Sequence, residues 1–570
     1  MLVRDIKEKM NRRINILIGL TVVLLAIAAS VNFQFPVFTS KYIVKDDVRQ
    51  HIYWMQQFRD SDLFRNDLLT EYAKSYQPWG FIAVYYLLSF FIDPIVASKI
   101  MPIILVVLSS VYIFKLVRHI VNGYTGFLAA LILMMTPHYL DRMTGGLPRS
   151  FAFPLVIMFL YYLIKRRYLQ SSVILVLQSL FYPMICLISI PTYLCTFIRF
   201  ENNRIFFDRS VVKKKFLIYA IVISAFILCA KYALIYNPSI GTTVSRGQMV
   251  GDPAYYESGR YRVLQTAPLP KMIAMNVNKG VFLPKILRRY FPKAFAGSGK
   301  PSGNAVFFIA VLFVAYETLR KRLVFPPEIF FMFLSSMLMY LISDMMLFKL
   351  FLPERYLEYT VPVISLTVYS VAVGQLINRF KNAGMKNTFQ VALIILVLFH
   401  YDIHGRDRFL ADKTDDYKGL YEYLNSLPKD AMIAVHPSLG NSIPSFAQRK
   451  VFINYELSHP FYDKYWAVIK KRTYDFFNAY YAGEALPVLE FCEDNGIDYL
   501  VVDKQHFADA YLSKKKIYFE PFNSYVVQIA ESRRNFILRD IPDEEKLFKK
   551  GSIFVIKKDS LKKLIPSEKK

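Results

Sequence analysis

INILIGLTVVLLAIAASV, residues Ile14–Val31, is a run of 18 residues without one charged side chain. A stretch of that length and composition is expected as a helix solvated by lipid. Arg4, Lys7, Lys9, Arg12 and Arg13 stand before it, and it lacks a small-residue cleavage pattern. A retained first span is therefore expected over a cleaved signal peptide. Outward from this segment the pattern repeats, in Ile103–Val117 and Val391–Phe399 among others. Across 570 residues, 54% are hydrophobic and only 20% charged, too apolar for one soluble enzyme of this length. The chain reads as a polytopic α-helical membrane protein.

The net charge of +27 is uneven: residues 1–401 carry +25 of it and residues 402–570 only +2. A nucleic-acid binder would gather such charge on one folded face. Here it decorates short loops between apolar blocks, and no nucleic acid is expected as a partner. Spans are predicted near 14–35, 99–118, 124–140, 151–164, 172–182, 184–199, 216–236, 304–320, 328–350, 356–378 and 388–402. The break at Tyr182-Pro183 splits one long apolar stretch into two helices, because proline lacks the backbone donor a helix needs. Phe81–Ile92 is read as a half-inserted helix. With about 11 spans, the basic loops Lys165/Arg166/Arg167 and Arg320/Lys321/Arg322 fall on the N-terminal side, which the positive-inside rule makes cytoplasmic. The expected division is a transmembrane domain over 1–402, with outer loops 36–80 and 238–303, and a C-terminal extracytoplasmic α/β domain over 403–570. In the latter, Ala431–His436 and Tyr499–Asp503 read as buried strands, and Phe461–Tyr481 and Leu486–Asn495 as helices. Cys186, Cys195, Cys229 and Cys492 show no metal-type or disulfide spacing.

Three outer segments carry the residues suited to chemistry. In KDDVRQHIYW, Asp46 and Asp47 open a helix-like run beside the first span, followed by His51. A carboxylate there can act as general base or hold a divalent cation, while capping a helix N-terminus is the plainer use of the same pair. In PHYLDRMTGGLPRSFAFPL, Gly145-Gly146 permit a sharp turn and Arg149 can hold a phosphate or reach lipid headgroups. Asp141 and Arg142 are neighbours able to form a surface pair of little consequence. In FLPERYLEYTVP, Arg355 and Tyr356 stand at membrane depth, where a charge requires a partner or a task; Glu354 or Glu358 can be that partner. The middle loop is basic, from Arg246 to Lys300, as a loop lying against anionic headgroups would be.

On KDDVRQHIYW, YQPWGF (Tyr76–Phe81), the Phe181–Pro183 break, RYLEYTVP and the outer stretches IPSFAQRKVFINYELSHPFYDKYW and NGIDYLVVD, the chain resembles the GT-C superfamily of integral-membrane glycosyltransferases. That group includes protein O-mannosyltransferases, lipid A aminoarabinose transferases and oligosaccharyltransferase catalytic subunits. The resemblance implies an inverting-type transfer of a sugar from a polyprenyl-phosphate carrier to a hydroxyl of a glycan, lipid or protein acceptor, on the outer face of the cell inner or plasma membrane. It implies Asp46 or Asp47 as base, Arg149 and Arg355 on the carrier phosphate, and Tyr356, His51, Trp79 and Tyr76 around the substrate. Metal-using members carry more acids in the second outer loop, here LDRMTGGLPRS (Leu140–Ser150), than Asp141 alone, so a divalent cation, Mg or Mn, is left open. Two other readings stand beside it. A lipid or glycan transporter or flippase would use charges inside the spans, for which Lys231 and Asp344 are the candidates. A non-catalytic glycan-binding protein of the cell envelope would leave Asp46 and Asp47 dispensable.

Overall fold

The computed structural model describes residues 2–565 except 202–203, 209, 235–236, 265–267, 281–315, 400–414, 515 and 534. The predicted span 304–320 lies mostly outside the described residues, as does the basic end of the middle loop from Lys285 to Lys300.

Among the described residues, four helices are long and apolar enough to cross a membrane: Ile16–Phe33, Pro94–Ile120, Pro327–Lys349 and Arg355–Ile377. Six shorter apolar helices accompany them, Trp79–Ser89, Gly123–Met135, Pro148–Ile164, Tyr168–Phe181, Pro183–Cys195 and Ala383–Leu398. Large apolar side chains point outward along several helices, with Leu24 67% and Phe226 70% exposed, a face that suits lipid and not water. Local signals set the ends. Asp93 accepts from the Ile95 amide at 2.7 Å to start Pro94–Ile120, and Asn122 accepts from the Thr125 amide at 2.9 Å to start Gly123–Met135. Tyr182 leaves helical geometry between Tyr168–Phe181 and Pro183–Cys195, at the proline break. The predicted helix 124–140 is instead two, since Pro137 cannot continue the first; Pro137–Met143 is separate.

The segment 36–80, expected as the first outer loop, folds as short helical turns, Val48–His51, Tyr53–Phe58 and Leu68–Ser75, before Trp79–Ser89. An antiparallel hairpin pairs β1 (Ile198–Glu201) with β2 (Arg204–Phe207). The C-terminal region holds a five-stranded sheet of β3 (Met432–Val435), β4 (Lys450–Val451), β5 (Tyr499–Asp503), β6 (Phe548–Lys550) and β7 (Ile553–Lys557), in the order β4-β3-β5-β7-β6. β3 runs parallel to β4 and β5, and β7 runs antiparallel to β5 and β6. Helices Asp463–Tyr480 and Ala485–Asp494 stand close to where the sequence pattern puts them.

This sheet region is fastened to the first loop. Arg49 donates to Ser442 Oγ at 3.0 Å, and Gln56 to the Ser445 carbonyl at 3.0 Å. Tyr72 stacks on Tyr465 with ring centroids 3.8 Å apart and planes 12° from parallel. Those contacts hold the loop bearing Asp46 and Asp47 in one place.

Candidate active site

Asp47 precedes the turn Val48–His51, yet its side chain makes no capping bond there. It forms an ion pair with Arg149, which stands on the Pro148–Phe151 turn after the second outer loop. Gly145 and Gly146 shape that loop with φ of +80° and +57°, a region L side chains avoid. A Cβ on Gly146 would fall 2.7 Å from Met101 Cβ and from the Tyr85 hydroxyl, which itself donates to the Gly146 carbonyl. The turn therefore packs against the Pro94–Ile120 helix, and this aims Arg149 inward. Headgroup snorkelling is not its arrangement.

Asp46 accepts the Asp47 amide at 2.9 Å. The two acids differ in consequence. Burial, joined by the Asp47 charge, pushes the Asp46 carboxyl up. Burial would raise Asp47 too, but Arg149 outweighs it and holds the carboxyl well below the ordinary carboxylate range. Asp47 is thus ionised and paired.

Around them lies a ring of polar groups. His51 Nδ1 is 2.6 Å from Gln77 Nε2, and burial pushes the imidazole down to about 4 against the pull of Asp47. With the amide nitrogen donating, the neutral ring carries its proton on Nε2. Tyr76 meets His51 edge-on at 5.6 Å and accepts from Gln50 Nε2 at 3.0 Å. Gln50 also lies 3.3 Å from His459 of the sheet region, whose other nitrogen is 3.0 Å from the Tyr72 hydroxyl. Lys231 of the helix Val211–Leu234, weighed as a pathway residue, donates to the Gln77 carbonyl.

Beside Arg149 a second group is centred on Glu358. Its carboxylate holds Arg142 at 2.6 Å and Arg355 at 2.7 Å, and is 7% exposed. Arg355 also donates to the Tyr359 hydroxyl at 3.3 Å. Tyr359 packs against Tyr182 of the proline break, ring centroids 5.2 Å apart. Of the two partners open to Arg355, Glu358 is the one used. Asp141 and Arg142 do not pair with each other: Asp141 binds Lys45 at 2.6 Å. The Nε atoms of Arg142 and Arg149 are buried without a hydrogen-bond partner, two cationic donors turned into the protein.

The structure thus brings Asp46, Asp47, His51, Tyr76, Arg149 and Arg355 into one neighbourhood. Tyr356 is not part of it; fully buried, it donates to the Leu350 carbonyl at 2.9 Å. Its side chain serves the turn that presents Arg355. Trp79 is half-buried at the head of its helix, and among the described contacts its ring does not join the cluster. Gln50, Gln77, Glu358 as the centre of two ion pairs, and His459 were not singled out from sequence. Glu358 alone had a usable signal, its i+3 spacing from Arg355. A cavity of about 400 Å³ lies elsewhere, lined by Gly251, Pro253, Tyr256, Glu257, Ser258 and Glu520.

The donor set does not suit a divalent cation. Among the described residues, no group of three His, Cys, Asp or Glu side chains converges. Asp47 and Asp141 are each bound to a cationic side chain, and hard cations require several oxygens free to face one point.

No family model matches the chain, and no curated protein matches it in sequence. Structural likenesses include the Archaeoglobus fulgidus oligosaccharyltransferase in the apo form, at 14% identity over 90% of this chain and 72% of that one, with a TM-score of 0.48. Another is the archaeal oligosaccharyltransferase AglB from Archaeoglobus fulgidus in complex with an inhibitory peptide and a dolichol-phosphate, at 12% identity over 87% and 70%, TM-score 0.44. A third is ArnT from Cupriavidus metallidurans in the apo state, at 12% identity over 96% of this chain and 98% of that one, TM-score 0.46. All three TM-scores lie below 0.5.

Proposed function

We propose that this chain is a membrane glycosyltransferase of GT-C type, moving a sugar from a polyprenyl-phosphate carrier to an acceptor hydroxyl outside the cytoplasm. The observation that carries the reading is the convergence of one acid and two arginines from segments some hundred residues and more apart, Asp47 against Arg149 with Arg355 beside them. In this reading the N-terminus is cytoplasmic, about 11 spans cross the inner or plasma membrane, Trp79–Ser89 is the half-inserted helix, and residues 403–570 lie outside.

The acceptor hydroxyl attacks the anomeric carbon as the bond from that carbon to the phosphate oxygen breaks. Asp47 takes the hydroxyl proton, and the carrier phosphate leaves with both bonding electrons. Arg149 and Arg355 stabilise the charge that grows on it, which fixed guanidinium donors do well in a site shielded from water. The Asp47–Arg149 pair adds a coupling. A carrier phosphate that engages Arg149 draws the guanidinium from Asp47, and the carboxylate becomes a better base as the donor arrives. His51 and Tyr76 line the outer side, where the sugar or acceptor would lie. Membrane lipid surrounds the apolar helices and accommodates the carrier tail. No step is routed through a metal ion.

Of the two residues weighed for a transporter, Lys231 and Asp344, Lys231 donates to the Gln77 carbonyl. Asp46→Asn, Asp47→Asn and Arg355→Ala chains, each checked for membrane insertion, test the proposal. Loss of glycan product in at least one inserted Asp variant is expected. Full activity in both Asp variants overturns the mechanism.

A further inference from the structure

Two outer loops carry the acids from which a divalent-cation site would be built, Asp46 and Asp47 on the first and Asp141 on the second. The group joining those loops is an ammonium. Lys45 Nζ contacts Asp141 Oδ1 at 2.6 Å, while the lysine is 4% exposed. Its stem is pinned by the second loop: a Cβ on Gly145, whose φ is +80°, would come within 3.2 Å of Lys45 Cβ and 3.1 Å of Val48 Cγ2. The Lys45 charge also favours the ionised form of both carboxyls that follow it in sequence, although burial still leaves Asp46 raised. We infer that Lys45 is a built-in counter-ion that takes the place of a divalent cation between the first and second outer loops.

The physical case is one of charge and space. Two of the three carboxylates are already paired, Asp141 with Lys45 and Asp47 with Arg149, so most of the negative charge that would attract a metal is neutralised. A doubly charged ion entering beside Lys45 would meet a like charge within a few ångströms, in surroundings where water screens poorly. It would also have to free Asp47 from Arg149 to gain a second oxygen ligand. An ammonium offers three donors and one charge, enough to tie the loops together and hold the acids in register, without the strict coordination geometry of Mg.

The inference deepens the transferase reading and rests on it only for the use of these acids, so its test is a binding measurement needing no sugar substrate. The full chain, purified in detergent, is titrated with Mn and free Mn is followed by electron paramagnetic resonance. The unaltered chain and Lys45→Arg are expected to leave the free-ion signal unchanged. Lys45→Met is expected to bind Mn at least about tenfold more tightly than the unaltered chain, because carboxylate charge sets affinity for hard cations. Asp141→Asn added to Lys45→Met should remove that gain. Stoichiometric Mn binding by the unaltered chain, abolished by Asp46→Asn or Asp141→Asn, overturns the inference even where Lys45→Met fails to fold. Absence of binding in a folded Lys45→Met overturns it as well. Neither result decides whether the chain transfers sugar, which the Asp47→Asn product assay reads separately.

Discussion

Two arginines proposed for one phosphate are held in opposite ways. Arg149 pairs with Asp47 of the segment 36–80, and among the described residues Asp47 has no second ion-pair partner. Arg355 shares Glu358 with Arg142, and that acid lies one helical turn along its own helix. The first pair joins two loops, and in the proposed mechanism a carrier phosphate takes the place of Asp47 on Arg149. In the second, one buried carboxylate binds two guanidinium groups at once, an arrangement suited to a scaffold. A site that must release a charge on cue and yet keep its shape requires both kinds of pair.

The difference can be broken at either end. Asp47→Asn carries the largest expected effect: product formation should fall about 10²–10⁴-fold, the usual contribution of a positioned general base. Asp46→Asn should cost less, and the reverse order would move the base to Asp46. Next is Glu358→Gln, which leaves Arg142 and Arg355 without their shared counter-charge. Removing one partner of a buried pair costs about 3–5 kcal/mol, so a clear drop in the thermal midpoint in detergent is expected. An equal midpoint would show that the pair is no scaffold. Arg149→Lys keeps the charge but loses the fork of donors, worth about 1.5–3 kcal/mol in a charged hydrogen bond. Its loss should appear as weaker donor use with the thermal midpoint nearly intact.

The smallest effect concerns pH. Burial holds His51 at about 4, below its ordinary value near 6.5. The unfolded chain therefore takes up a proton at higher pH than the folded one. Stability is full above about 6.5 and declines as pH falls toward 4. Asp46, whose carboxyl is raised, works in the opposite direction over part of that window. The comparison to make is therefore between the unaltered chain and His51→Gln: melting curves from pH 7.5 down to 4.5 should converge as the acid side is approached. A constant offset across that range would mean that the imidazole titrates as it does in water.

Legibility from sequence followed the reach of the interactions. The proline break at Tyr182-Pro183, the strands at 432–435 and 499–503 and the apolar helices were readable, because each rests on neighbours within a turn or two. Asp46 and Asp47 stood out as adjacent acids after the first span, Arg149 as a cation beside a Gly-Gly turn, and Arg355 as a charge at membrane depth. Their partners were not. Lys45 with Asp141 spans 96 positions, and Gln50 with His459 spans 409. No periodicity links residues so far apart, and the plausible local pair Asp141–Arg142 is not the one formed.

By itself the amino-acid order determined that apolar helices form and roughly where they lie, since lipid solvation and backbone hydrogen bonding act on contiguous residues, while ends such as the split at Pro137 differed from the expectation. It also determined that charge is scarce enough among those helices for each instance to demand an explanation. Which acid meets which base was decided only by tertiary packing. Burial makes an unpaired charge so costly that each one settles with whatever counter-charge the fold brings within reach, however distant in the chain.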